Sequence, residues 1–248
     1  MPGITEVKRD RSCFSPDTKG HTGHMKVSEI AAVPIELGAA VRHRRLFHPN
    51  GVLANGTLER VAPPGEGLPL DSCDIVGRVS KAVGLPRGVA DFAGLAWRMA
   101  PLRPSATPWD ILLASTRGGD LPSRVWLWPA TSWSGVAVSS LMPMRYGGQL
   151  WWLRARMATD VNSQGLALQP ICEHIAHGGL QFEVEQACGR GRFTPVARLR
   201  LSDVITDGQD ITFDPTLNSA PGVQLAPAWL TDFRRAAYRR SRAGRDAE

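Results

Sequence analysis

Arg234, Tyr238, Ser241 and Arg245 are spaced four, three and four residues apart, so a helix would carry them on one face. A tyrosine hydroxyl would then have one guanidinium a turn before it and another two turns after it. A free tyrosine titrates near ~10. One arginine at about 4 Å, at an effective dielectric of about 20, favours the phenolate by roughly 4 kcal/mol, or about three pK units. That alone leaves Tyr238 partly ionised at neutral pH, and a bound ferric ion would complete the deprotonation, as metals do for their ligands. The plainer alternative is a basic surface helix whose tyrosine packs half-buried against a core.

The elements that must hold this face follow from the stretch Phe213 to Arg245. Pro215, Pro221 and Gly222 keep its first part out of a helix. Pro227 suits a first helical turn, because it needs no backbone N–H there. Leu230, Phe233 and Ala237 then form an apolar stripe beside the tyrosine face. Tyrosinate is one of the known proximal ligands of haem iron, so a helix of this pattern is a candidate iron-binding element.

The segment resembles the haem-proximal end of the haem catalases. That family carries an FDP…PG turn, then a helix with R-x-x-x-Y and a further arginine seven residues on. The matching residues are Phe213-Asp214-Pro215, Pro221-Gly222, Arg234, Tyr238 and Arg245. The resemblance extends upstream in family order. Arg45-Leu46-Phe47-His48-Pro49-Asn50-Gly51, followed by Gly56, is similar to the distal R-x-x-H-x-x-G pattern. Arg78-Val79-Ser80, Gly84 and Asp91 to Ala96 are similar to the R-x-S…G…D…GxA run. The resemblance implies haem b with Tyr238 as iron ligand and Arg234 on its oxygen. It implies Arg45, Arg78 and Arg245 as propionate partners and His48 as the distal acid–base. A histidine titrating near ~6.5 suits that work, since it can accept a peroxide proton and return it at neutral pH.

The chain departs from the pattern at the distal asparagine. The place after the W-D strand reads Trp109 to Thr116 and contains no asparagine, so Ser115 or Thr116 is left to offer a hydroxyl. Losing one aligned donor costs a rate factor of roughly 10²–10³ by analogy with oxyanion-hole deletions. The expected activity is therefore activation of hydrogen peroxide or an organic hydroperoxide to oxidise a small organic substrate, with weak catalase turnover. Haem-dependent monooxygenation and rearrangement of a hydroperoxide are alternatives within the same class. A non-catalytic haem-binding protein and a basic nucleic-acid-binding module are alternatives from other classes. Phe47 also replaces the family's usual valine, which narrows the space expected over the haem. Without the family's long terminal extensions, the chain would be a minimal version of the fold.

Composition is compatible with this reading. The chain has 248 residues, 43% of them hydrophobic, with eight Trp and a formal net charge of +6. It contains no apolar run of membrane-spanning length. Its first residues lack the apolar stretch of a signal peptide, and its four cysteines have no framework spacing. A cytoplasmic protein is the expectation, with residues 1–25 as a disordered arm and 26–248 as one haem domain. Nucleic acid is a less favoured partner for the basic surface. Exposed tryptophan at Trp151-Trp152 would mark a homodimer contact.

Short alternating runs separated by turn residues predict an antiparallel sheet or barrel. The predicted strands are Asp74–Ser80, Trp109–Ser115, Leu150–Arg156, Ala167–Ile171, Leu180–Glu185 and Val196–Leu201. Residues 41–61 read as two strands with turns at Pro49-Asn50-Gly51 and Asn55-Gly56. Together with the resemblance to the haem catalases, the expected fold class is α+β, a catalase-like antiparallel β-barrel with helices and a proximal helix at the C-terminus. Cys172, His174 and His177 have metal-ligand side chains, but their spacing matches no standard site.

Overall fold

The computed structural model describes residues 50–81, 90–101, 107–117, 121–206 and 211–226. Its strands are β1 (Asn50–Arg60), β2 (Cys73–Lys81), β3 (Ala93–Met99), β4 (Trp109–Ser115), β5 (Ala137–Ser139), β6 (Met144–Tyr146), β7 (Gln149–Met157), β8 (Leu180–Cys188), β9 (Thr194–Val204) and β10 (Gln224–Leu225). Its helices are α1 (Leu121–Val125) and α2 (Leu168–His177). The sheet runs β10-β6-β7-β5-β4-β3-β2-β1-β9-β8, and β8 also pairs with β7. That last pairing closes β7-β5-β4-β3-β2-β1-β9-β8 into an eight-stranded antiparallel barrel. Closure removes the free edges of these eight strands, and β10-β6 extends from β7 outside the ring.

Period-two alternation supplies the core. Val52, Ala54 and Leu58 of β1, Leu95 and Trp97 of β3, Ile111 and Leu113 of β4, Leu153 and Ala155 of β7, and Phe182 and Val184 of β8 are all buried inside the barrel. Helix α2 adds Leu168, Ile171, Cys172 and Ile175 to the same core. One arginine organises the loop between β1 and β2. The Arg60 guanidinium donates to the carbonyls of Ala62, Pro63, Glu66, Leu68 and Leu70, which matches its five N–H donors.

The structure departs from the sequence reading in three places. Residues 50–60 form one strand, not two strands around an Asn55-Gly56 turn. The pairing with β9 slips at Asn55/Gly56, and a Cβ on Gly56 would run into the Arg200 carbonyl oxygen. The glycine is there for a close strand approach, not for a turn. The expected strand Ala167–Ile171 instead opens helix α2, because its buried positions recur at helical spacing through Ile175. Trp152 is 6% exposed, whereas Trp126 and Trp128 are 57% and 44% exposed. The exposed tryptophans therefore lie after α1 rather than at Trp151-Trp152.

Candidate functional site

The barrel's outer face over β1 to β5 carries most of the described residues that the sequence singles out. Register aligns Gly51 with Ser80, Ser80 with Gly94, Gly94 with Ala114, and Ala114 with Ser139. Cross-strand partners point to the same face, so these small residues form one transverse row. At about 4.8 Å per strand the row spans roughly 19 Å. Ser80, Gly94, Ala114 and Ser139 are buried although they lie outside the barrel. The adjacent row runs Leu53, Arg78, Ala96 and Leu112.

Arg78 and Gly51 belong together for a steric reason. A Cβ on Gly51 would lie 2.7 Å from Arg78 Nε and 3.0 Å from Ser80 Cβ. The guanidinium stem of Arg78 therefore lies across the glycine. Ser80 Oγ donates to the Gly94 carbonyl at 3.5 Å, a long bond. Thus Gly51, Arg78 and Ser80, from two of the family-like runs, are brought into one cluster.

Ser115 faces the other way. Its Oγ accepts the Ala93 N–H at 3.1 Å and donates to the Trp128 carbonyl at 2.7 Å. It ties β3 and β4 to the segment after α1, and serving as a donor on the outer face would require breaking that bond. Its neighbours Ala114 and Thr116 are the residues that strand alternation turns outward. Arg45, His48, Arg234, Tyr238 and Arg245 lie outside the described residues.

Sequence reasoning missed the joint that carries the chain from the barrel toward its C-terminal stretch. Asp110 is fully buried and pairs with Arg98 through two 2.7 Å hydrogen bonds. Its Oδ2 also accepts the Asp214 N–H and the Asn218 side-chain amide, each at 2.7 Å. Arg98 in turn donates to the Thr212 carbonyl and stacks over Phe213. Hydrogen bonding to Asp110 raises the Arg98 pKa above its already high ordinary value. Within the turn, Asp214 accepts the Thr216 N–H and hydroxyl and the Asn218 N–H. The Trp109-Asp110 and Phe213-Asp214-Pro215 motifs are thus two halves of one buried joint.

The histidines of α2 do not assemble a metal site. His177 Nδ1 bonds the Glu173 carbonyl at 2.8 Å, and Cys172 is buried in the core while His177 is exposed. Among the described residues no group of three His, Cys, Asp or Glu side chains is placed to hold a metal. No described helix is long and apolar enough to cross a membrane.

No protein-family model matches the sequence, and no curated protein matches it. Solved structures of catalases share its architecture. A bacterial catalase superposes with a TM-score of 0.54 at 16% identity, over 88% of this chain and 61% of its own. Catalase A from Saccharomyces cerevisiae gives 0.53 at 12% identity, over 86% and 64%. A fungal catalase gives 0.52 at 13% identity, over 86% and 62%. The chain spans about three fifths of the length of these catalases. At such identities the likeness is one of architecture: the chain has a catalase-like antiparallel barrel.

Proposed function

We propose that this protein is a haem-dependent oxidoreductase that uses hydrogen peroxide or an organic hydroperoxide to oxidise a small organic molecule. The observation that carries the reading is the row of small residues with Arg78 lying across Gly51. A planar, apolar macrocycle needs a flat floor without protruding side chains, and Gly51, Ser80, Gly94 and Ala114 supply one. Its carboxylates need fixed cations at one edge, and Arg78 supplies one there, since guanidinium forks suit carboxylates. The residues present therefore fit haem b.

In this reading Tyr238 ligates the iron and Arg234 stabilises the tyrosinate oxygen. Arg45, Arg78 and Arg245 hold the propionates. Haem bound in this way supplies iron-centred cleavage of the peroxide O–O bond. His48 takes a proton from the peroxide and returns it to the leaving oxygen, which departs as water. Ala114 contributes no hydrogen bond to a bound peroxide, Ser115 Oγ is held by Ala93 and Trp128, and Thr116 lies two residues beyond Ala114, roughly 7 Å along the strand direction. Disproportionation of peroxide is accordingly slow, and an organic reductant is the main electron donor.

The test is peroxide addition to the haem-loaded protein with and without a phenolic reductant. Reductant oxidation well in excess of oxygen evolution is expected, and rapid oxygen evolution with no reductant oxidation would overturn the assignment. The cradle gives a separate expectation. Gly51→Val drives a side chain into Arg78 Nε, so haem affinity falls roughly ten- to hundredfold, the scale of one lost charge-assisted hydrogen bond. A haem titration followed by absorbance checks it, with circular dichroism confirming an intact barrel.

A further inference from the structure

Among the described residues, the buried side-chain polar atoms without a hydrogen-bond partner are Trp97 Nε1, Thr116 Oγ1 and Ser139 Oγ. Trp97 lies inside the barrel. The other two lie on the outer face, at the end of the small-residue row away from Arg78. Ser139 stands between Ala114 on β4 and Arg154 on β7. Thr116 donates its N–H to the Ala137 carbonyl at 3.1 Å. That places it opposite Ala137 and makes it a diagonal neighbour of Ser139, with Cα atoms roughly 7–8 Å apart. Ser139, Thr116 and Arg154 are 1%, 7% and 6% exposed.

A buried hydroxyl left unbonded is destabilising, and folded proteins keep few of them. Two on one face, beside a buried guanidinium, point to a ligand that completes them. Arg154 commits its Nε to Glu185 Oε2 at 2.7 Å and lies over the Phe193 ring at 4.0 Å. Its terminal nitrogens make no hydrogen bond to the described residues. Glu185 also lies 3.4 Å from Arg156, whose cross-strand neighbour is Glu183. Two hydroxyls and the Arg154 side chain thus share this face, and an acceptor-rich group would satisfy them. A planar carboxylate has two oxygens for that fork and those hydroxyls. Its negative charge suits the buried Arg154 guanidinium.

We propose that Thr116, Ser139 and Arg154 bind the carboxylate of a small organic acid. The anion site stands on these side chains alone. Its role as the substrate anchor rests on the haem-enzyme reading, and makes an organic acid the substrate class.

Benzoate and its neutral counterpart benzamide are the probes. Their binding to the full-length protein is measured by calorimetry before and after haem addition, with haem uptake recorded separately by absorbance. The variants Ser139→Ala and Thr116→Val remove hydroxyls that have no protein partner, so both fold with an unchanged or raised thermal midpoint. Benzoate is expected to bind in both states and more tightly than benzamide, with either variant weakening it roughly ten- to hundredfold. Equal binding of the two probes, or of benzoate to wild type and both variants, would overturn the site. Benzoate binding that disappears on haem addition would overturn the substrate role. Failure of haem uptake with benzoate binding intact would sink the haem reading but leave the anion site standing.

Discussion

Asp110→Ala lowers stability by about 3–5 kcal/mol, the cost of breaking a buried ion pair from one side. The carboxylate is fully buried and holds Arg98, the Asp214 N–H and the Asn218 amide at 2.7 Å each. Its removal leaves two buried N–H donors without their acceptor and Arg98 with only the Thr212 carbonyl. Against a typical total of about 5–15 kcal/mol, that is a large fraction. The urea midpoint should fall by roughly 1–2 M. Because the joint fixes the 214–218 turn to β4, the variant should also bind haem less tightly than wild type. Equilibrium unfolding of both proteins tests this, and an unchanged midpoint would mean that the joint carries little of the fold's stability.

His48→Ala should lower peroxide-dependent oxidation of a phenolic reductant by about 10²–10⁴-fold, the usual contribution of a positioned general acid–base. Haem content should not change, since in this reading the histidine moves a proton and does not hold the iron. Stopped-flow mixing with peroxide separates the two effects, because the loss should fall on the peroxide step and not on reaction with the reductant. A variant with wild-type rates would remove His48 from the mechanism.

Much of the barrel was legible because its strands alternate cleanly. Asp74–Ser80, Trp109–Ser115, Leu150–Arg156, Leu180–Glu185 and Val196–Leu201 all lie within observed strands. The failures were local signals overridden by distant partners. Asn55-Gly56 reads as a turn, yet the glycine is required by the Arg200 backbone some 144 positions later in the chain. Ala167 to Ile171 alternates briefly, but burial at Ile175 shows the helical period.

The candidate site shows the same division. Arg78, Gly51 and Asp110 were visible as residues of family-like runs, but their contacts were not. The small-residue row exists only once the register of β1 through β5 is known, because one residue's slip would turn each side chain to the other face. Ser139 and Arg154 carried no sequence signal at all. Their significance comes from burial and the lack of a partner, which are properties of packing. The buried joint between Trp109-Asp110 and Phe213-Asp214-Pro215 likewise links segments more than a hundred residues apart.

The central claim, a tyrosinate-ligated haem on the outer face of this barrel, is tested most directly by one absorption spectrum. Wild type and Tyr238→Phe are expressed with haem supply and their ferric spectra compared. The account predicts a high-spin ferric spectrum in wild type that is changed or lost in the variant. Wild-type protein that takes up no haem, or a variant whose spectrum is identical to wild type, would contradict it.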